Sequence, residues 1–176
     1  MKAANRQWLL IAAAAVLALS LGALVGWLRY TPDAPSVTAS DIYAARFPDA
    51  AGKAQALAQW QGRVLVLNFW ATWCPPCRKE IPDFVALQQA LGGQGLTIVG
   101  IALDEPAAVA AFAREFQVNY PLLIGGLEGS TFGRALGNTH GALPFTVMLD
   151  RQGNIIAAKT GMTTRAELEK VVRPLL

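Results

Sequence analysis

Both cysteines of the chain, Cys74 and Cys77, stand in the stretch FWATWCPPCRKEIP, residues 69–82. Two thiols separated by two residues could ligate a metal, crosslink the chain, or exchange a disulfide. A closed zinc site needs about four ligands, and the chain offers two cysteines and a single histidine, His140, far off in sequence. No resident metal is expected, although two soft thiolates alone could hold Cu(I). A purely structural crosslink is a poor use of such a short loop, because closing two residues removes little entropy from the unfolded chain. Disulfide exchange fits best. At a helix start, unpaired N–H groups and the helix dipole favour an anion at the first cysteine, and the thiolate is the attacking species. Arg78 and Lys79 add positive charge one turn along. Cys77, one turn in, is placed to resolve a mixed disulfide. Pro75 and Pro76 lack N–H donors that a first helical turn does not use, and their rigidity keeps the sulfurs close. Trp73 and Pro75 flank the first cysteine and are candidates for contact with substrate; Trp70 fits the same apolar rim or a core equally well.

This chemistry needs a strand that ends just before Cys74 and a helix that begins there. RVLVLNFWA (residues 63–71) is a continuous apolar run and predicts a buried strand. The helix is expected over residues 74–91, with Phe84, Leu87 and Leu91 on one face, a kink at Pro82 and a stop at GGQG. LTIVGIAL (96–103) predicts a second buried strand, and Asp104 is a candidate cap for a helix presenting Val109, Phe112, Ala113 and Phe116 to a core. YPLLIG reads as a short strand and GSTFGRAL as a short helix. FTVMLD and NIIAAKTG flank RQG as an antiparallel hairpin. Thr163 or Thr164 caps a last helix to about Val172. Two short strands are expected near residues 42–47 and 54–57. The alternation implies an α/β sandwich with a mixed sheet.

Residues 8–28 form a 21-residue run with no charge, long enough as a helix to span about 30 Å. Lys2 and Arg6 precede it, and Trp8 and Trp27 sit at its ends. The run exceeds a cleaved signal's apolar core, and the small-x-small triplet at residues 37–39 is weak. The expected layout is therefore a membrane anchor over residues 1–28 inserted in lipid, a linker over 29–40 and a domain over 41–176. The domain carries 12 Lys/Arg and 11 Asp/Glu from Ser36 onward, with no basic run, so nucleic acid is not an expected partner.

VLVLNFWATWCPPCRKEIP resembles the thioredoxin superfamily, and within it the membrane-anchored TlpA/ResA-type thiol-disulfide oxidoreductases. GALPFTVMLDRQGNI (141–155) resembles their second hallmark, a proline-led strand about 70 residues after the cysteines. The resemblance implies a thioredoxin-like three-layer α/β sandwich with a mixed central sheet, preceded by an N-terminal transmembrane helix. It further implies an inserted strand-helix unit, expected at residues 96–116. Cys74 would attack and Cys77 resolve, with the Cys74–Cys77 pair as the redox centre and no cofactor. Pro144 would be cis, and Leu143 would offer backbone to an incoming peptide. Asn68 stands where thioredoxins carry a buried acid. Glu80, three residues after Cys77, matches the acid of the TlpA/ResA pattern and is the expected proton carrier.

The expected function is a membrane-tethered, extracytoplasmic disulfide reductase of the bacterial inner membrane. Its substrates would be disulfides of exported proteins, with apocytochrome c or copper-site cysteines suggested by the family. A membrane electron-transfer protein would recharge it in an oxidising compartment. Rival readings are the same exchange run as an oxidase, Cu(I) delivery, and a thiol peroxidase. The last lacks its Pro-x-x-x-Thr-x-x-Cys pattern here. His140 reads as a turn residue, and residues 126–137 lack a phosphate loop's Gly-Lys-Ser/Thr ending.

Overall fold

The computed structural model describes Trp8, residues 13–23, Val25 and residues 37–176, in two units, Met1–Ser36 and Val37–Leu176. In the first unit, Trp8, residues 13–23 and Val25 are helical. No helix among the described residues is long and apolar enough to cross a membrane. Much of the anchor expected over residues 1–28 lies outside the described residues, as do residues 29–36 of the expected linker.

The second unit opens with helix α1 (Ala39–Ala44). Thr38 and Asp41 form a reciprocal capping box: the Thr38 hydroxyl accepts from the Asp41 N–H, and the Asp41 carboxylate accepts from the Thr38 N–H. The helix thus takes in Ala39 and Ser40, read from sequence as linker, and replaces the start of a strand expected near Ile42. A hairpin of β1 (Arg46–Pro48) and β2 (Ala54–Ala56) follows.

The main sheet contains β3 (Val64–Trp70), β4 (Leu96–Ala102), β5 (Leu122–Ile124), β6 (Phe145–Leu149) and β7 (Ile155–Thr160), in the order β5-β4-β3-β6-β7. β3, β4 and β5 are parallel, while β6 and β7 run antiparallel to their neighbours. Every residue of β3, β4 and β6 is buried, so apolar runs rather than alternation mark them. Helices α2 (Pro75–Leu91), α3 (Pro106–Glu115) and α5 (Arg165–Val172) cover one face, and α1 and α4 (Gly126–Ala135) the other. Leu65, Leu67 and Phe69 of β3 pack toward α1 and α4. Val64, Val66 and Trp70 pack toward α2, α3 and α5. This is the thioredoxin-like α/β sandwich with a mixed central sheet.

β4 pairs along all seven of its residues with β3, so it belongs to the framework. β5 forms the edge of the sheet beyond β4 and leads into α4. Gly100 makes the β3–β4–β5 junction possible: a Cβ there would lie 2.6 Å from Leu122 Cδ2 and 2.9 Å from Trp70 Nε1. Helix α2 runs through Pro82 without interruption. Thr164, rather than Thr163, caps α5 in a capping box with Glu167.

Candidate active site

β3 delivers the chain into a tight turn. The Cys74 N–H donates to the Ala71 carbonyl at 3.2 Å, which leaves Thr72 and Trp73 at the tip. Cys74 is the N-cap of α2, and its Sγ accepts the Cys77 N–H at 3.3 Å. Pro75 and Pro76 occupy the first helical positions, where a missing N–H costs nothing. The two sulfurs are joined as a disulfide, with the Cα atoms 5.3 Å apart. Both cysteines are buried, Cys77 completely and Cys74 with 4% of its residue surface exposed, so Cys74 is the more accessible of the two. Once the bond is reduced, the same N-cap position offers N–H groups to a Cys74 thiolate.

Arg78, one turn into the helix, has a defined seat. Its guanidinium lies 5.0 Å from the ring centres of both Phe112 and Phe116, which are themselves stacked. It donates to the Thr72 carbonyl at 3.3 Å and approaches Glu115 at 3.7 Å. Phe116 is half-buried and packs against the Trp70–Phe112 cluster, as its spacing predicts, and it also serves Arg78 as a platform. Asp104 also has another task than expected. Glu105 is the N-cap of α3, and Asp104 Oδ2 accepts from the Thr72 N–H at 2.9 Å and hydroxyl at 2.5 Å.

Glu80 is buried in α2, three residues beyond Cys77 and so on the same helix face. Asn68 Nδ2 donates to Glu80 Oε1 at 2.8 Å and to Thr146 Oγ1 at 3.1 Å. The Thr163 N–H donates to Glu80 Oε2 at 2.8 Å. Burial pushes the Glu80 carboxyl up from 4.5 to about 7, against the opposing pull of those two hydrogen bonds and the Lys159 charge. The buried Tyr120 hydroxyl is pushed up by burial and by the Glu80 charge. Neither that hydroxyl nor Asn68 Oδ1 has a hydrogen-bond partner among the described residues. Asn68 thus orients the carboxyl.

The Leu143–Pro144 peptide is cis. Leu143 is half-buried and packs against the cluster that contains both cysteines. The Pro144 carbonyl accepts the Gly161 N–H at 2.8 Å. The preceding loop is braced by Asn138, whose amide donates to the Ala142 carbonyl at 2.8 Å and accepts the Ala142 N–H at 3.0 Å. Trp73 is 66% exposed beside the disulfide, Pro75 is exposed, and Trp70 is core, packed on Phe112. His140 is exposed in its turn, away from any metal cluster: no group of three metal-ligating side chains occurs among the described residues.

The fold brings Cys74, Cys77, Glu80 and the Leu143–Pro144 loop into one region. Sequence reasoning missed Thr72, Asp104, Tyr120, Thr146 and Thr163 as its supports. Thr163 acts through its backbone and left no residue-type signal.

A Redoxin family model matches residues 32–172. A thiol-disulfide oxidoreductase ResA of Bacillus thuringiensis subsp. konkukian is 31% identical over 130 residues, covering 72% of each chain. A ResA of Geobacillus kaustophilus is 28% identical over 171 residues, covering 94% of this chain and 95% of its own. A crystal structure of a thiol:disulfide interchange protein from Chlorobium tepidum superposes with a TM-score of 0.65 at 29% identity, over 74% of this chain and 92% of that one. The fold, a linked cysteine pair at a helix start and these likenesses agree, and the chain belongs to the Redoxin family, among the TlpA/ResA-type thiol-disulfide oxidoreductases of the thioredoxin superfamily.

Proposed function

We propose that the chain is a membrane-tethered, extracytoplasmic protein-disulfide reductase of the bacterial inner membrane. The observation that carries the reading is the Cys74–Cys77 disulfide at the mouth of α2, with a buried carboxyl poised near neutral pH on the same helix face. In the reduced pair, the Cys74 thiolate attacks one sulfur of a substrate disulfide. A mixed disulfide forms, and the other substrate sulfur leaves as a thiolate. Glu80, as carboxylate, takes the Cys77 proton, and the Cys77 thiolate attacks Cys74 Sγ. The mixed disulfide breaks, the second substrate thiolate leaves, and the protein pair is oxidised. Two electrons have passed to the substrate, and no cofactor takes part.

The exposed ring of Trp73, with Pro75, offers an apolar rim to a protein substrate, and the Leu143–Pro144 loop offers backbone beside the sulfurs. The uncharged run over residues 8–28 supports a lipid-anchored location with the domain outside the cytoplasm. In such a compartment a membrane electron-transfer protein must restore the thiols. The substrates are exported proteins with disulfides, apocytochrome c or copper-site cysteines among them. The test joins turnover with insulin as a generic protein disulfide to a measured reduction potential. Turnover with a potential near about −250 mV supports a reductase, whereas one near about −120 mV overturns the direction in favour of an oxidase.

A further inference from the structure

We infer that Asp104 is a positioning residue that holds Trp73 rigidly in place as the contact for protein substrates. The inference rests on the reading of Trp73 as part of the substrate rim. Thr72 and Trp73 form the tip of the turn that the Cys74 N–H closes on the Ala71 carbonyl. Every hydrogen-bonding group of Thr72 is engaged. Its N–H and hydroxyl both donate to Asp104 Oδ2, at 2.9 and 2.5 Å, and its carbonyl accepts from Arg78. The other oxygen, Asp104 Oδ1, accepts the Glu105 N–H at 2.8 Å, so the carboxylate is itself fixed. Just before it, the Leu103 N–H donates to the Trp70 carbonyl at 2.8 Å, which locks the end of β4 to the end of β3. Arg78 is held in turn by the Phe112–Phe116 stack.

The closing hydrogen bond from the Cys74 N–H to the Ala71 carbonyl already defines the turn. What the clasp adds is a fixed origin for Trp73, which is two-thirds exposed between Thr72 and the Cys74 cap. A large exposed ring next to a reacting sulfur is the kind of anchor that dominates protein contacts. Fixing it before binding lowers the ordering cost on association. A small disulfide does not need that contact, so the clasp favours protein over small-molecule substrates.

The test measures steady-state kinetics of the full chain with insulin and with a small aromatic disulfide. Asp104→Ala should raise the KM for insulin about tenfold, with kcat within about twofold, and lower the insulin-to-small-disulfide ratio of kcat/KM by the same factor. Asp104→Asn, which keeps an acceptor for the Thr72 N–H, should restore most of the loss. Trp73→Ala should show the same KM effect, and the double variant with Asp104→Ala should show no further rise. If Asp104→Ala does not fold, Thr72→Val removes the hydroxyl half of the clasp and should give a smaller KM rise that Trp73→Ala again masks. Multiplying losses, an equal fall with both substrates, or an unchanged KM in Trp73→Ala overturns the inference while leaving disulfide exchange intact. A wild-type chain that turns over neither substrate overturns the functional reading as well.

Discussion

Glu80→Gln separates the charge of the buried carboxyl from its shape. The folded chain holds this group at about 7 against an ordinary 4.5, chiefly through burial. The native state therefore binds the proton more tightly than the unfolded chain does. The stability that follows is fully present below about pH 4.5, is lost as pH rises, and is gone above about 7. Each pH unit in that window is worth about 1.4 kcal/mol, so an ionised Glu80 costs the oxidised protein about 3 kcal/mol at about pH 8. Gln has no charge to bury, but its NH2 must face either the Asn68 amide or the Thr163 N–H. One hydrogen bond is lost, at about 1–3 kcal/mol, independent of pH. The variant should thus be the less stable protein at about pH 4.5 and equal or better at about pH 8. Urea unfolding of both oxidised proteins across this range measures it. Wild-type minus variant stability should fall by about 3 kcal/mol; a flat or rising difference refutes a carboxyl poised near neutrality. In the reduced protein, loss of the proton acceptor should slow resolution of a mixed disulfide about 100-fold near pH 7, read by stopped-flow mixing.

Other perturbations probe the same framework. Asn68→Asp sets a second buried carboxyl against Glu80; the pair should share a proton, and the oxidised domain should lose stability as pH rises past 7, seen as a falling midpoint in urea. Gly100→Ala forces a Cβ against Leu122 and Trp70 and should cost about 1–3 kcal/mol in chemical denaturation. Phe112→Ala removes a buried ring that supports both Trp70 and Arg78, and should cost about 3–5 kcal/mol in the same assay.

Local signals in the sequence carried far. The apolar runs of β3 and β4, the diproline start of α2 and the RQG turn are each written in adjacent residues, and each appears where the pattern puts it. Helix α1 was hidden because Ile42, Tyr43 and Phe47 face one core across a helix and a strand, which mimics a single short strand. Asp104 sits where a cap belongs, and its partner Thr72 lies 32 residues away, so only the packed fold reveals the clasp. The same holds around Glu80. Asn68 and Thr146 are 78 residues apart and meet through the β3–β6 pairing, while Thr163 reaches Glu80 across 83 residues. Arg78 reads as a positive charge one turn along the helix; that it is also seated on the Phe112–Phe116 stack is visible only in three dimensions.

The most direct measurement is the trapping of a reaction intermediate. Full-length Cys77→Ala, reduced and mixed with a disulfide-bonded protein, should accumulate one covalent adduct per chain, and mass spectrometry should locate the bond at Cys74. Cys74→Ala should yield no such adduct at Cys77, whose sulfur is fully buried. Adducts forming equally well through Cys77, or none through Cys74, would contradict the account.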